Sequence, residues 1–191
     1  MIELKNVSIF FDDKMIINNL SLSLPDTGLV TFSGASGSGK TTLLRALLGL
    51  KKFGGEIKSN RSLTFSAVFQ ESNLLPWLTA AENVAAVCEI NAENIEKAKN
   101  LLSQVGFDEG DFDKLPNELS VGMARRVAAA RAVMIDADVL VLDEPFAGLD
   151  EDNLSAVADL LLSKRSEKLI ILVTHIGNFS PDFDYKIGNN D

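Results

Sequence analysis

Cysteine is nearly absent from this chain: Cys88 is the only one in 191 residues. One thiol rules out an internal disulfide and a thiolate-bound metal cluster, and leaves Cys88 as a free thiol in or near a core. Histidine is as scarce, with His175 alone. A basic excess is missing too, since 18 Lys and Arg against 27 Asp and Glu give a net charge of -9 and a pI near 4.7. Such a chain does not hold a nucleic-acid backbone or an anionic lipid surface by its own field, so no nucleic-acid partner is expected and any membrane contact is expected through another protein. No apolar run approaches the roughly 18 to 20 residues that a spanning helix requires. Met1 leads straight into the strand-like IELKNVSIF rather than a basic and then apolar leader, which makes a cytoplasmic location the expectation. Internal repeats and low-complexity segments are lacking as well. What remains, 46% apolar and 24% charged residues, is the composition of a globular protein of one large domain with a full core.

The hydrophobic pattern divides the chain into thirds. IELKNVSIF and MIINNLSLSL alternate apolar and polar residues, turn at PDTG and enter the buried-looking LVTFS, which predicts an antiparallel edge leading to a central strand. A helix with leucines at helical spacing follows from Gly39 to Leu50, then the glycine-rich turn KKFGG, then a strand in SLTFSAVF that ends at Gln70. The middle third predicts helices near 79–90 and 92–105, an acidic loop, and an alanine-rich helix from Ser120 to about Ile135. The last third returns to apolar strands, DVLVLDEP and KLIILVT, around a helix at 150–165. Continuous apolar strands alternating with helices indicate an α/β fold with a mostly parallel sheet covered on both faces. A helical segment, about 73–135, is expected as an insertion in this core.

GASGSGKT, running Gly34, Ala35, Ser36, Gly37, Ser38, Gly39, Lys40, Thr41, fits the phosphate-loop pattern in the required context, after a strand and at the opening of a helix, with Thr42 next. Its glycines let backbone N–H groups curl around phosphate oxygens, and the helix end adds partial positive charge. Lys40 is then a point charge for the β and γ phosphates, and Thr41 a hydroxyl ligand for Mg2+. VLVLDEP supplies the complementary acids: Asp143 for the metal, and Glu144 to orient or deprotonate an attacking water. His175, at the carboxyl end of KLIILVT, lies on the sheet edge where ligands bind in open parallel sheets, and Gln70 also ends a strand and can reach that edge. Phe11 is either a core residue or a platform for adenine stacking; stacking is favoured, with Phe10 as the alternative.

Together these residues resemble the ATP-binding subunits of ABC transporters, most of all the importer subunits for nitrate, sulfonate, taurine and related small solutes. The order matches throughout: Phe11, the phosphate loop, Gln70, ELSVGMARRVAAARA as the signature, VLVLDEP, AGLD and TH. The resemblance implies a P-loop NTPase with a RecA-like core, an antiparallel β subdomain and a helical subdomain inserted between Gln70 and the signature. It also implies a head-to-tail dimer holding two ATP molecules, each bound by the phosphate loop of one subunit and by Ser120 and Gly122 of the other. Glu144 is then the catalytic base, and His175 contacts the γ-phosphate. Gln70 couples Mg2+ and the attacking water to the membrane partner, and Asp150 links the two sites. The chain is expected to lie on the inner face of the cell membrane, bound to an integral permease and through it to a solute-binding protein. VFQESNLLPWLTAAENV resembles the stretch that faces the permease; the bland alternative is a surface loop with Trp77 packing locally.

Departures from the family pattern include Val121 in place of a glycine, Met123 in the signature and Ile176 in place of an acid. If position 121 has φ below zero, the valine is tolerable; above zero it is strained. The competing functions are a soluble ABC-type ATPase in cofactor assembly or another non-transport process, and a partner that binds ATP without hydrolysing it.

Overall fold

In the computed structural model, residues 1–12, 14–177 and 179–188 are described. They fall into two compact units: Met1–Phe65, Asp138–Asp143 and Arg165–Asp191 in the first, Ser66–Ala137 and Glu144–Lys164 in the second.

The first unit contains an antiparallel sheet in the order β2-β1-β4, from β1 (Ile2–Phe11), β2 (Lys14–Leu24) and β4 (Gly54–Ser59). The alternation that predicts β1 and β2 changes phase along both. In β1 the buried positions run Ile2, Leu4, then Val7, Ile9. The shift is a pair of bulges at Asn6 and Asn19, both with φ of 51, a conformation asparagine tolerates better than most residues. Each bulge spends its N–H on a hydroxyl of the opposite strand: Asn6 donates to Ser21 Oγ at 2.9 Å and Asn19 to Ser8 Oγ at 3.0 Å. β4 lies in a stretch that reads as a turn and an unassigned linker, because GGEIKS opens with two glycines and buries no residue fully; pairing with β1 makes it a strand.

Parallel strands of the same unit follow the order β6-β7-β3-β8, from β6 (Val139–Asp143), β7 (Leu169–Val173), β3 (Gly28–Ser33) and β8 (Phe183–Lys186). All five residues of β6 and of β7 are buried, the signature of a sheet interior. α1 (Lys40–Leu47) turns Leu43, Leu44, Ala46 and Leu47 inward and packs along β6. β8 is invisible to hydrophobic pattern, being four residues long and mostly exposed. Polar anchors seat it: Asp182 accepts from the Leu29 N–H at 2.7 Å, and Asp184 from the Thr31 and Ser33 hydroxyls at 2.6 and 3.0 Å. The entry to β6 is latched by Asp138, whose carboxylate accepts from the Thr64 N–H and hydroxyl, both at 2.8 Å, and from Arg61 at 2.7 Å. These donors hold the Asp138 carboxyl down at about 2, the Thr64 N–H foremost.

The second unit is mainly helical. α2 (Ala80–Ala85), α3 (Ala92–Gln104) and α4 (Val121–Val133) pack on one another, and α5 (Glu151–Leu162) packs on α3 and α4. β5 (Phe65–Val68) runs across the boundary. The segment 73–135 expected as an insert lies inside this unit together with α5. α2 is shorter than its periodicity suggests. Asn91 is needed in an extended conformation, φ of -137, as the cap of α3, where it accepts from the Asn94 N–H at 2.9 Å. The chain therefore leaves the helix before it.

Candidate nucleotide-binding site

The carboxyl ends of β3, β6 and β7 form one sheet edge, since Asp143 is in register with Val173 and Thr31 with Leu172. The phosphate loop leaves this edge after Ser33, Asp143 ends β6 on it, and His175 follows β7 by two residues. Gly34 has φ of 140, and a Cβ there would overlap the Ile187 carbonyl oxygen. Gly39, at φ of 97, caps α1 in the left-handed conformation; a Cβ would come within 2.7 Å of Ile16 Cγ2. Both glycines are thus set by backbone conformation and by close neighbours.

Two features of the loop fit an anion. No side chain caps α1, so its first N–H groups are left to a ligand. The buried Ser38 hydroxyl has no hydrogen-bond partner, and such an orphan is expensive unless a bound group completes it. Lys40, only 7% exposed, folds back on the loop and donates to the carbonyls of Gly34 at 2.7 Å and Ala35 at 2.9 Å. The ammonium therefore sits inside the curl of the loop. Thr41 donates its hydroxyl to Asp143 Oδ1 at 3.0 Å. Asp143 is 2% exposed; burial pushes its carboxyl above the usual range, against the pull of the Thr41 hydroxyl, Arg45 and Lys40. A hydroxyl beside one buried carboxylate is a donor set for Mg2+, which takes its other ligands from water and phosphate oxygens. Among the described residues no three acidic, histidine or cysteine side chains converge as a fuller metal cage.

His175 is exposed on a turn closed by Thr174, whose hydroxyl accepts the Ile176 N–H at 3.1 Å. Phe11 is 56% and Phe10 48% exposed, which removes the core alternative for either; the Lys51 ammonium stands 4.8 Å from the Phe11 ring centroid.

The remaining candidates belong to the second unit. Glu144, directly after Asp143, adopts φ of 52, uncommon for a non-glycine residue and a form of strain that gathers at functional sites. Gln70 is exposed just past β5. Ser120 caps α4 by accepting the Met123 N–H at 3.1 Å. Val121 lies within α4 and is not among the residues of positive φ, so the valine is tolerable; it is 70% exposed. A Cβ on Gly122 would meet nothing closer than Leu149 Cδ2 at 3.8 Å. Nothing in this chain's own packing demands a glycine there. Trp77 is 70% exposed rather than packed locally, and the loop that carries it is pinned by Asn83. That side chain, fully buried, accepts the Leu75 N–H at 2.8 Å and donates to the carbonyls of Leu75, Leu78 and Thr79. Pattern reading passes over Asn83; the one signal is an amide inside the apolar face of AAENVA.

Residues 17–147 match the protein family described as ABC transporter. The chain is 36% identical over 169 residues to the aliphatic sulfonates import ATP-binding protein SsuB of Bacillus subtilis, covering 84% of this chain and 66% of that protein. It is 36% identical over 178 residues to SsuB 1 of Paracoccus denitrificans, covering 91% and 72%. With an uncharacterized ABC transporter ATP-binding protein of Haemophilus influenzae it shares 34% identity over 182 residues, covering 92% and 75%. The chain thus spans about two thirds to three quarters of the length of these relatives. Among solved structures it resembles the dimeric, post-hydrolysis state of the ATP-binding cassette MJ0796 bound to ADP and Pi, with a TM-score of 0.81 and 29% identity over 92% of this chain and 88% of the other. Among the described residues no helix is long and apolar enough to cross a membrane.

Proposed function

The chain belongs to the ABC transporter family, and on that premise we propose that it is the ATP-binding and ATP-hydrolysing subunit of an importer, energising the passage of a small solute through a separate membrane permease. The observation that supports this most is the phosphate loop itself, with Lys40 curled against two of its carbonyls and the Ser38 hydroxyl orphaned. Two of the relatives named above are import ATP-binding proteins, which favours transport over cofactor assembly.

In this mechanism Lys40 exchanges its two carbonyl acceptors for phosphate oxygens, while Gly34 to Thr42 supply N–H groups and hydroxyls. Phe11 offers a stacking face to adenine. Thr41 and Asp143, with Gln70 as a further ligand, would hold Mg2+, which would supply positive charge to the phosphates. Water attacks the γ phosphorus, the bond to the bridging oxygen breaks, and ADP leaves with that electron pair. Glu144 takes the proton that water gives up, and His175 contacts the γ-phosphate.

Ser120 and Gly122 serve the nucleotide of a second copy in a homodimer. The freedom around Gly122 suits close approach by such a partner, and the partial positive charge of the α4 N-terminus suits its phosphate. The exposed Leu75 and Trp77, on the loop that Asn83 holds, suit an apolar contact with the permease. That contact places the subunit at the inner face of the membrane, and a solute-binding protein acts through the permease. Those two proteins choose the solute, for which sulfonates and other small anions are the favoured class. Binding of ATP by the purified chain, expected to weaken by at least about tenfold in Lys40→Ala, is the test. Equal affinity in the two proteins contradicts the proposal.

A further inference from the structure

The segment that carries Gln70 is tied on both sides to the last turn of α4. Before it, the Ser66 hydroxyl on β5 donates to the Ala132 carbonyl at 2.7 Å. After it, the Arg131 guanidinium donates to the carbonyl of Ser72 at 2.7 Å and of Asn73 at 3.0 Å. One planar fork thus bridges two successive carbonyls, a geometry lysine does not reproduce. The backbone it grips is unusual, with Asn73 at φ of 47. Arg131 is half-buried and desolvation lowers its pKa, so water competes poorly for these bonds. At the opposite end of the same 13-residue helix stands Ser120, about 17 Å from Arg131 at 1.5 Å per residue. All of these groups lie in the second unit.

We propose that Arg131 is a positioning residue for Gln70: its fork and the Ser66 hydroxyl lock the Gln70 segment to α4, so that a displacement of Ser120 at one end of the helix is delivered to Gln70 at the other. This rests on the ATP-hydrolysing function proposed above. A helix moves as one body, and two tethers flanking a loop carry that motion better than one.

Steady-state ATPase of the purified chain, measured against Mg-ATP concentration with folding followed by circular dichroism, tests it in wild type, Arg131→Met, Arg131→Lys, Ser66→Ala and Lys40→Ala. In Arg131→Met kcat falls about tenfold while KM stays within about twofold. Arg131→Lys recovers part of the loss, and Ser66→Ala shows a smaller loss of the same kind. Arg131→Met and Ser66→Ala combine non-additively, because they act on one segment. Lys40→Ala separates this inference from its premise: turnover equal to wild type contradicts hydrolysis at this site altogether. If Lys40→Ala is inactive but Arg131→Met keeps the wild-type kcat and loses only thermal stability, the positioning role is overturned. Should Arg131→Met fail to fold, Ser66→Ala decides, and an unchanged kcat there overturns it equally.

Discussion

At the scale of single residues, Val121 is where chemistry and conformation part. The family glycine leaves open whether a valine there is strained, and the position is a helical one with its side chain exposed. Val121→Gly therefore relieves nothing. It costs roughly 0.3 kcal/mol of helix stability, the difference between the Gly and Val propensities, read as a slightly lower melting temperature, and leaves ATP turnover within about twofold of wild type. A large gain in turnover contradicts this. Glu144 is the opposite case: a residue whose φ of 52 the sequence does not announce. The phosphate loop was legible because all its determinants sit within eight consecutive positions. Arg131 was not, because its partners lie 58 and 59 positions away, and nothing in an alanine-rich helix marks which arginine turns inward.

At the scale of elements, strands with an apolar pattern and the longer helices were readable, and the edge strands β4 and β8 were not. β6 and β7 bury every residue and announce themselves as apolar runs. β4 and β8 exist because neighbouring strands offer hydrogen bonds, and β8 is held by Asp182 and Asp184 rather than by apolar burial. The Asp138 latch shows how such anchoring can be tested. Its carboxyl is depressed to about 2 from an ordinary 3.8, so its contribution is present in full above pH 3.8 and is lost as pH falls through about 2. Asp138→Asn is therefore less stable than wild type at neutral pH, and the gap between the two in chemical denaturation narrows from pH 4 to pH 2. A gap that stays constant across that window contradicts the latch.

At the scale of the whole molecule, the candidate residues are divided between units. The phosphate loop, Asp143 and His175 belong to the first, and Gln70, Ser120 and Glu144 to the second. No single unit holds all of the candidate residues. The net charge of -9 gives the chain no field of its own for an anionic lipid surface. Hydrolysis of ATP at this site is proposed to run with Glu144 as its base. Phosphate release from Mg-ATP by wild type and by Glu144→Gln, an isosteric change, tests it most directly. Measurable release by wild type and a fall of about 100-fold or more in the variant are expected; equal rates in the two proteins contradict a base role for Glu144.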